Sequence, residues 1–297
     1  MIEFRSVSAA YSDQLAVLHN VSFTIKKGEF VAFVGTNGAG KSTTMRLMNG
    51  LLEPSAGTVL VDGRATGEMR TSELARRVGF LFQNPDRQIC CNTVREELLF
   101  NFRAQGRAGA HAEALVDAMI ERFGFEADAE PFLLNRGTRQ LLALASTLVT
   151  EPDLLILDEP TTGLDYRECC QVMEIIENAH EHGATVVMVC HDMEVVGDHA
   201  KRVIAMTQGR IVADGPTFEV LRDPLILDTA HLIAPQICEI SMRLSEKRPE
   251  LAASAIAHAD TLAAMEEAIA AFVEDSSGST LERTFADTIS ANEENLA

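Results

Sequence analysis

Apolar positions along the chain follow two rhythms, continuous short runs and runs with helical spacing. Val21-Ser22-Phe23-Thr24-Ile25 alternates as a strand, Lys26 to Glu29 turns, and Phe30 to Val34 is almost wholly apolar. A run of that kind fits a strand buried on both faces of a parallel sheet. A glycine-rich turn follows, and Met45, Met48, Leu51 and Leu52 then predict a helix that stops at Glu53-Pro54-Ser55-Ala56-Gly57. Thr58 to Asp62 and Val78 to Phe82 read as two further strands. From about Asn84 to Val149 the rhythm is helical, with Leu115, Ala118 and Met119 on one expected face and Gln140 to Leu148 in another helix. Beyond it come a buried strand at Leu154 to Leu157, a helix carrying Val172, Ile175, Ile176 and Ala179, and strands at Thr185 to Cys190 and Val203 to Met206.

Strand and helix thus alternate on both sides of a helical insert, which predicts an α/β fold with a mainly parallel sheet. After about Arg222 the character changes. Ile237, Ile240 and Leu244 make one short apolar stripe, and Leu262, Met265, Ile269 and Phe272 another. From Glu274 onward six acids stand against one base with few large apolar residues, a composition expected to be disordered. The expected layout is a main domain over 1–222 with its helical insert at about 84–149, a helical extension over 223–273 and an acidic tail over 274–297. No internal repeat is present.

Charge narrows the choice of partner. Lys and Arg total 25 against 44 Asp and Glu, a net charge of −19. A nucleic-acid surface would show a basic stripe, so no nucleic-acid partner is expected. An acidic chain can still hold phosphate locally on backbone N–H groups. The opening residues lack the basic start and apolar stretch of a signal peptide, and no run reaches the roughly 18 apolar residues of a membrane span. A soluble chain that reaches a membrane only through a partner is therefore expected. The six cysteines, two of the pairs adjacent (Cys90-Cys91 and Cys169-Cys170), show no CxxC spacing. Reduced thiols are expected rather than a zinc or disulfide framework.

Two motifs carry chemistry. Gly35-Thr36-Asn37-Gly38-Ala39-Gly40-Lys41-Ser42, followed by Thr43, matches the phosphate-binding pattern GxxxxGK[ST] between a buried strand and a helix. Glycines let the backbone turn its N–H groups inward, Lys41 adds charge for the outer phosphates, and the Ser42 hydroxyl is placed to ligate Mg²⁺. The new helix N-terminus adds a favourable dipole. The strand Leu154 to Leu157 then ends in Asp158-Glu159-Pro160, at the edge where α/β sheets bind ligands. Asp158 suits the metal, and Glu159 suits a general base for the attacking water.

With these residues in place, residues 1–222 resemble the ABC ATPase family. The resemblance implies a P-loop NTPase fold with a mainly parallel sheet, a small antiparallel β subdomain, an inserted helical subdomain and a C-terminal helical extension. It implies ATP and Mg²⁺ as cofactors and ATP hydrolysis as the activity. Gln83, after Gly79 to Phe82, is placed like the Q-loop glutamine that touches the metal, and Thr161 to Asp165 is similar to the D-loop. His191 resembles the switch histidine that contacts the γ-phosphate, and Tyr11 the aromatic that stacks on adenine. The site residues implied are thus Tyr11, Gly35, Asn37, Gly38, Ala39, Gly40, Lys41, Ser42, Thr43, Gln83, Asp158, Glu159 and His191.

One stretch departs from the family. Where the family usually has Leu-Ser-Gly-Gly-Gln, this chain has Leu134-Asn135-Arg136-Gly137-Thr138. In the family this segment faces the nucleotide of the opposite subunit, so Asn135 and Gly137 are expected to contact it across a dimer, with Arg136 adding positive charge. The departure leaves open whether that composite site hydrolyses ATP, and whether the pair is a homodimer or a heterodimer. Phe82-Gln83-Asn84-Pro85-Asp86-Arg87-Gln88-Ile89, Cys190 to Val196 and Pro235 to Ile240 are similar to ATPases of energy-coupling factor transporters, importers of vitamins and of cobalt or nickel. The implied partners are a second ABC ATPase subunit and integral membrane subunits, with the chain peripheral on the cytoplasmic face. An ordinary ABC importer or exporter ATPase, a soluble non-transport ABC ATPase, and a nucleotide switch without turnover are the alternatives.

Overall fold

The computed structural model describes residues 1–11, 16–248, 251 and 254–273. The acidic stretch from 274 onward lies outside the described residues. Residues Met1–Leu232 form one compact unit and Ile233–Ala297 a second. The helix Pro224–Ala230 therefore falls in the first unit, beyond the boundary expected at 222.

Two sheets organise the first unit. The smaller is antiparallel, with β1 (Ile2–Ala10) between β2 (Ala16–Ile25) and β4 (Ala56–Val61), and β5 (Arg64–Ala65) at the edge. The larger runs β10-β9-β3-β8-β7-β6, where β3 is Phe30–Val34, β6 Val78–Leu81, β7 Leu154–Asp158, β8 Thr185–Val189, β9 Arg202–Thr207 and β10 Arg210–Pro216. All its pairings are parallel except the β9–β10 hairpin. Strands β1, β5 and β10 are missed by the sequence reading. β1 breaks its own alternation through register shifts after Phe4 and Val7, and β10 is only half-buried.

The central strand β3 is buried at every position. Its two faces enter different cores. Val31 and Phe33 meet the inward face of the small sheet (Phe4, Val21, Phe23) and helix α1 (Lys41–Met48). Phe30, Ala32 and Val34 meet α5 (Arg136–Leu148) and α6 (Tyr166–Glu181). Each of its Phe and Val side chains contributes about 1.5–3 kcal/mol by leaving water, so the strand that leads into the glycine-rich loop is held from both sides. Helix α1 is shorter than expected. It ends at Met48 because Gly50 turns to φ +69°, and the Leu51 and Leu52 N–H groups fold back to the Arg46 carbonyl. Leu51 and Leu52 therefore lie outside the helix.

After the single-turn α2 (Thr71–Leu74), the insert carries α3 (Val94–Ala104) and α4 (Ala110–Phe123), which close with one face of α5 around Leu98, Phe102, Val116 and Leu142. Ala118 was expected on the inner face of α4 but is exposed; Ala112 and Val116 are the buried positions. The second unit holds a helix at Gln236–Lys247, a short turn at Ala255–His258 and a helix over 262–273. Its small core is Leu251, Ile256, Ala259, Met265 and Ala268, packed by Ile237 and Leu244. The apolar stripes differ from expectation here: Ile240, Leu262, Ile269 and Phe272 are exposed, and small Ala268 takes an inward place.

Candidate functional site

The C-terminal ends of β3, β8 and β7 lie side by side, and the sequence places a chemically active segment directly after each. After β3 comes the glycine loop. Gly35 sits at φ +134°, with its α-carbon so close to β9 that a Cβ would overlap the Met206 carbonyl oxygen. Gly40 sits at φ +100°, and a Cβ there would lie 2.5 Å from Leu18 Cδ2. Gly40 opens α1 with no side-chain cap, and the first N–H groups of a helix have no intrahelical partners. The result is an anion cradle at a helix N-terminus.

Lys41 is buried and donates to the Gly35 carbonyl at 2.6 Å and the Thr36 carbonyl at 3.0 Å. Burial lowers its pKa, opposed by the charges of Glu159 and then Asp158. Ser42 Oγ donates to Asp158 Oδ1 at 3.2 Å. Asp158 is only 8% exposed. Burial raises its pKa, and the Ser42 hydrogen bond pulls the other way. A buried carboxylate beside a hydroxyl, with the Gln83 amide nearby on Glu159, is a hard oxygen set of the kind that suits Mg²⁺.

Glu159 continues the strand edge through its N–H to the Val189 carbonyl, 3.0 Å. It adopts φ +54°, unusual for a residue with a side chain. Its carboxylate is held from three directions: Gln83 Nε2 donates at 2.8 Å, Thr162 Oγ1 donates at 3.0 Å, and His191 Nε2 lies at 2.9 Å. Strained backbone at a cluster of this kind is a common mark of a functional position.

Glu159 and His191 face a cavity of about 580 Å³ lined also by Tyr11, Val17, His19, Gln208 and the loop residues Asn37, Gly38, Ala39, Gly40, Lys41, Ser42 and Thr43. Tyr11 is half exposed, and its hydroxyl lies 3.2 Å from Thr43 Oγ1 and accepts from Arg46 at 3.0 Å. The ring is thus tethered at the rim beside the loop. Val17, His19, Gln208 and Thr162 are not singled out in sequence. The first three line the cavity where the His19 N–H of β2 bonds the Gly209 carbonyl of the β9–β10 turn at 2.9 Å, a contact between distant segments without a local motif. Thr162 sits inside Thr161 to Asp165, and its hydroxyl is the signal that could have found it.

Asn135 and Gly137 stand apart from this cavity, at the start of α5. The Asn135 side-chain oxygen accepts the Thr138 N–H at 2.8 Å as a helix cap. Gly137 is packed so tightly that a Cβ would overlap the Glu168 carboxylate. Arg136, expected to lend charge to a neighbouring subunit, also makes contacts within its own chain. Its guanidinium donates to the Thr162 carbonyl at 3.3 Å and lies against Gly163, where a Cβ would come within 2.8 Å of Cζ.

Among the described residues no helix is long and apolar enough to cross a membrane. The sequence pattern of the ABC transporter family matches residues 18–162. A putative ABC transporter ATP-binding protein of Methanosarcina acetivorans is 40% identical over 79% of this chain and 38% of its own length. The energy-coupling factor transporter ATP-binding protein EcfA2 of Acetivibrio thermocellus is 37% identical over 79% of this chain and 85% of its own. The chain spans about two fifths of the first curated relatives it matches. Among solved structures, cbiO1 of Clostridium perfringens, part of the ABC transporter complex cbiONQ, superposes with a TM-score of 0.68 at 29% identity, covering 84% of this chain and 96% of that one. A dimeric ATP-binding cassette bound to ADP and phosphate superposes with a TM-score of 0.66 at 27% identity, covering 73% and 99%.

Proposed function

The chain belongs to the ABC transporter family of ATP-binding proteins, and from that premise we propose that it binds and hydrolyses ATP to energise a membrane importer of the energy-coupling factor type. The observation that carries the reading is the Glu159 carboxylate, on the rim of a phosphate-loop cavity and within 2.9 Å of His191 and 2.8 Å of Gln83.

The residues divide the work as follows. The loop from Gly35 to Thr43 receives the phosphates on backbone N–H groups, and Lys41 shifts donors from the Gly35 and Thr36 carbonyls to phosphate oxygens. Tyr11 presents its ring to the adenine. Ser42, Asp158 and Gln83 are the residues that would hold Mg²⁺, which supplies neutralisation of the outer phosphate charge. Glu159 takes a proton from the attacking water as it bonds to phosphorus, and His191 steadies the γ-phosphate. Gln83 and Thr162 both donate to Oε2 of Glu159 and His191 meets Oε1, so the carboxylate is oriented while Oε1 keeps a lone pair for the water.

The partner assignments are a second ABC ATPase subunit, meeting this chain through Asn135 to Thr138, and integral membrane subunits, with the chain peripheral on the cytoplasmic face. Relatives named for energy-coupling factor transport and the cbiO1 structure support this reading over an ordinary importer or exporter. Vitamins or transition-metal ions are the cargo class. Purification in mild detergent tests it: co-recovery of a membrane subunit and a second ATPase is expected, and a chain recovered alone or with ribosomes overturns it. ATP turnover by wild type against Glu159→Gln tests the chemistry, and equal rates overturn the base assignment.

A further inference from the structure

The loop between the segment carrying Gln83 and helix α3 brings together three side chains that nucleotide chemistry does not use. Cys90 is exposed, Cys91 is half-buried and Glu97, on the first turns of α3, is 3% exposed. Their ligand atoms all lie within 4.8 Å of one another, the one group of this kind among the described residues. We propose that Cys90, Cys91 and Glu97 form a binding site for a thiophilic divalent cation of the zinc class, with water in the fourth position.

Geometry supports this in two ways. Two thiolates on one tetrahedral zinc stand about 3.8 Å apart, given Zn–S distances of about 2.3 Å. The observed spread therefore needs a closure of about 1 Å at most, within the reach of side-chain rotation at exposed Cys90. The backbone is also fixed in advance. Glu97 Oε2 accepts the N–H groups of both Cys90 and Cys91 at 2.9 Å each, so both thiols are anchored beside the carboxylate.

The donor set selects the ion. Two sulfurs and one carboxylate favour a soft or borderline ion over Mg²⁺ or Ca²⁺, which demand oxygen. Three protein ligands on an open edge leave a replaceable position, unlike the closed four-ligand sites that serve structure alone. The simpler reading makes Glu97 only a brace for the turn, since its two backbone bonds already satisfy one oxygen. Cys169-Cys170 is also an adjacent pair, yet among the described residues no third ligand gathers beside it. Sequence spacing gave no warning because the third ligand arrives from the next helix, outside any CxxC pattern. Occupancy would tie the 90–91 turn to α3 beside Gln88, whose Nε2 already bonds the Ala143 carbonyl at 2.8 Å and Thr147 at 2.9 Å.

The test uses the full chain, reduced and stripped with chelator, titrated with Co²⁺ as the spectroscopic probe and with Zn²⁺ against a chromophoric indicator. The expected result is one equivalent bound with a thiolate-to-cobalt charge-transfer band. Cys90→Ser/Cys91→Ser should abolish the band, while Cys169→Ser/Cys170→Ser should retain it. Cys90→Ser alone, at an exposed position, should weaken Zn²⁺ binding by roughly 10–100-fold or more. Cobalt bound at Ser42 and Asp158 has only oxygen ligands and gives no such band, so nucleotide-site binding is distinguished. Absence of the band in wild type, or its survival in the Cys90/Cys91 double variant, overturns the site.

Discussion

Arg136 donates to the carbonyl of Thr162 at 3.3 Å, while the hydroxyl of the same threonine donates to Glu159 at 3.0 Å. The residue that most departs from the family pattern is thus one step from the proposed base of its own subunit. An exposed bond to a neutral carbonyl adds about 1 kcal/mol or less to stability. Arg136→Ala should therefore unfold within a few degrees of wild type yet lose several-fold in ATP turnover, with Arg136→Lys recovering part. Steady-state rates beside thermal melts check this, and an unchanged rate removes Arg136 from the pathway.

Lys41→Ala removes a buried cation aimed at the phosphates. Charge-assisted contacts of this type are worth about 3 kcal/mol, so nucleotide affinity should fall by roughly 100-fold or more. Equilibrium binding of a fluorescent ATP analogue gives the number.

Glu159→Gln keeps the size of the side chain and its ability to accept from Gln83 and Thr162. Loss of the proton acceptor should lower turnover by about 10²–10⁴-fold while leaving nucleotide affinity within a few-fold. A parallel fall in affinity would mean that the carboxylate serves binding instead.

Asp158 offers a pH test. Its pKa is raised in the fold, chiefly by burial, so the folded chain favours the protonated acid more than the unfolded chain does. Stability from this group is full below the ordinary aspartate value of 3.8 and is lost as pH rises through the raised folded value. Asp158→Asn should therefore melt higher than wild type at neutral pH, with the gap closing on acidification towards that value. The same variant should lose Mg²⁺-dependent turnover. Melting curves across pH read the first effect and ATPase assays the second.

Gly35→Ala puts a methyl into the Met206 carbonyl at a backbone angle few side chains adopt. Strain of that kind costs about 1–3 kcal/mol before the overlap is counted. The melting temperature should drop by several degrees, with nucleotide binding lost as the loop is displaced. Differential scanning calorimetry with and without ATP checks both.

Much of this site was legible because its chemistry sits on short motifs at strand ends. Phe30 to Val34 and Leu154 to Leu157 announce buried strands by composition alone, and the fold brings their ends together whatever the loops do. Asn37 to Thr43, Glu159 and His191 are gathered in one cavity as those motifs imply. What escaped depends on contacts between distant segments. β1 hides behind register shifts, His19 bonds to the β9–β10 turn beside the cavity, and Ile240 and Leu262 have helical spacing yet are exposed. Arg136 reads in sequence as a charge for a neighbouring subunit, and its contacts with Thr162 and Gly163 of its own chain come from a segment 26 residues away.

The place of β3 in the larger sheet governs how the chain is made. Its neighbours are β8 and β9, so Phe30 pairs with Val186 and Val31 with both Val187 and Arg202. During synthesis the apolar run Phe30 to Val34 therefore emerges long before either partner exists. The helical insert closes largely through contacts within 89–149 and can settle first, since local contacts form ahead of distant ones. The ATP cradle is completed only when residues near 205 have joined the sheet, which makes nucleotide capture a late event in the life of the nascent chain and leaves its central strand in need of shelter until then.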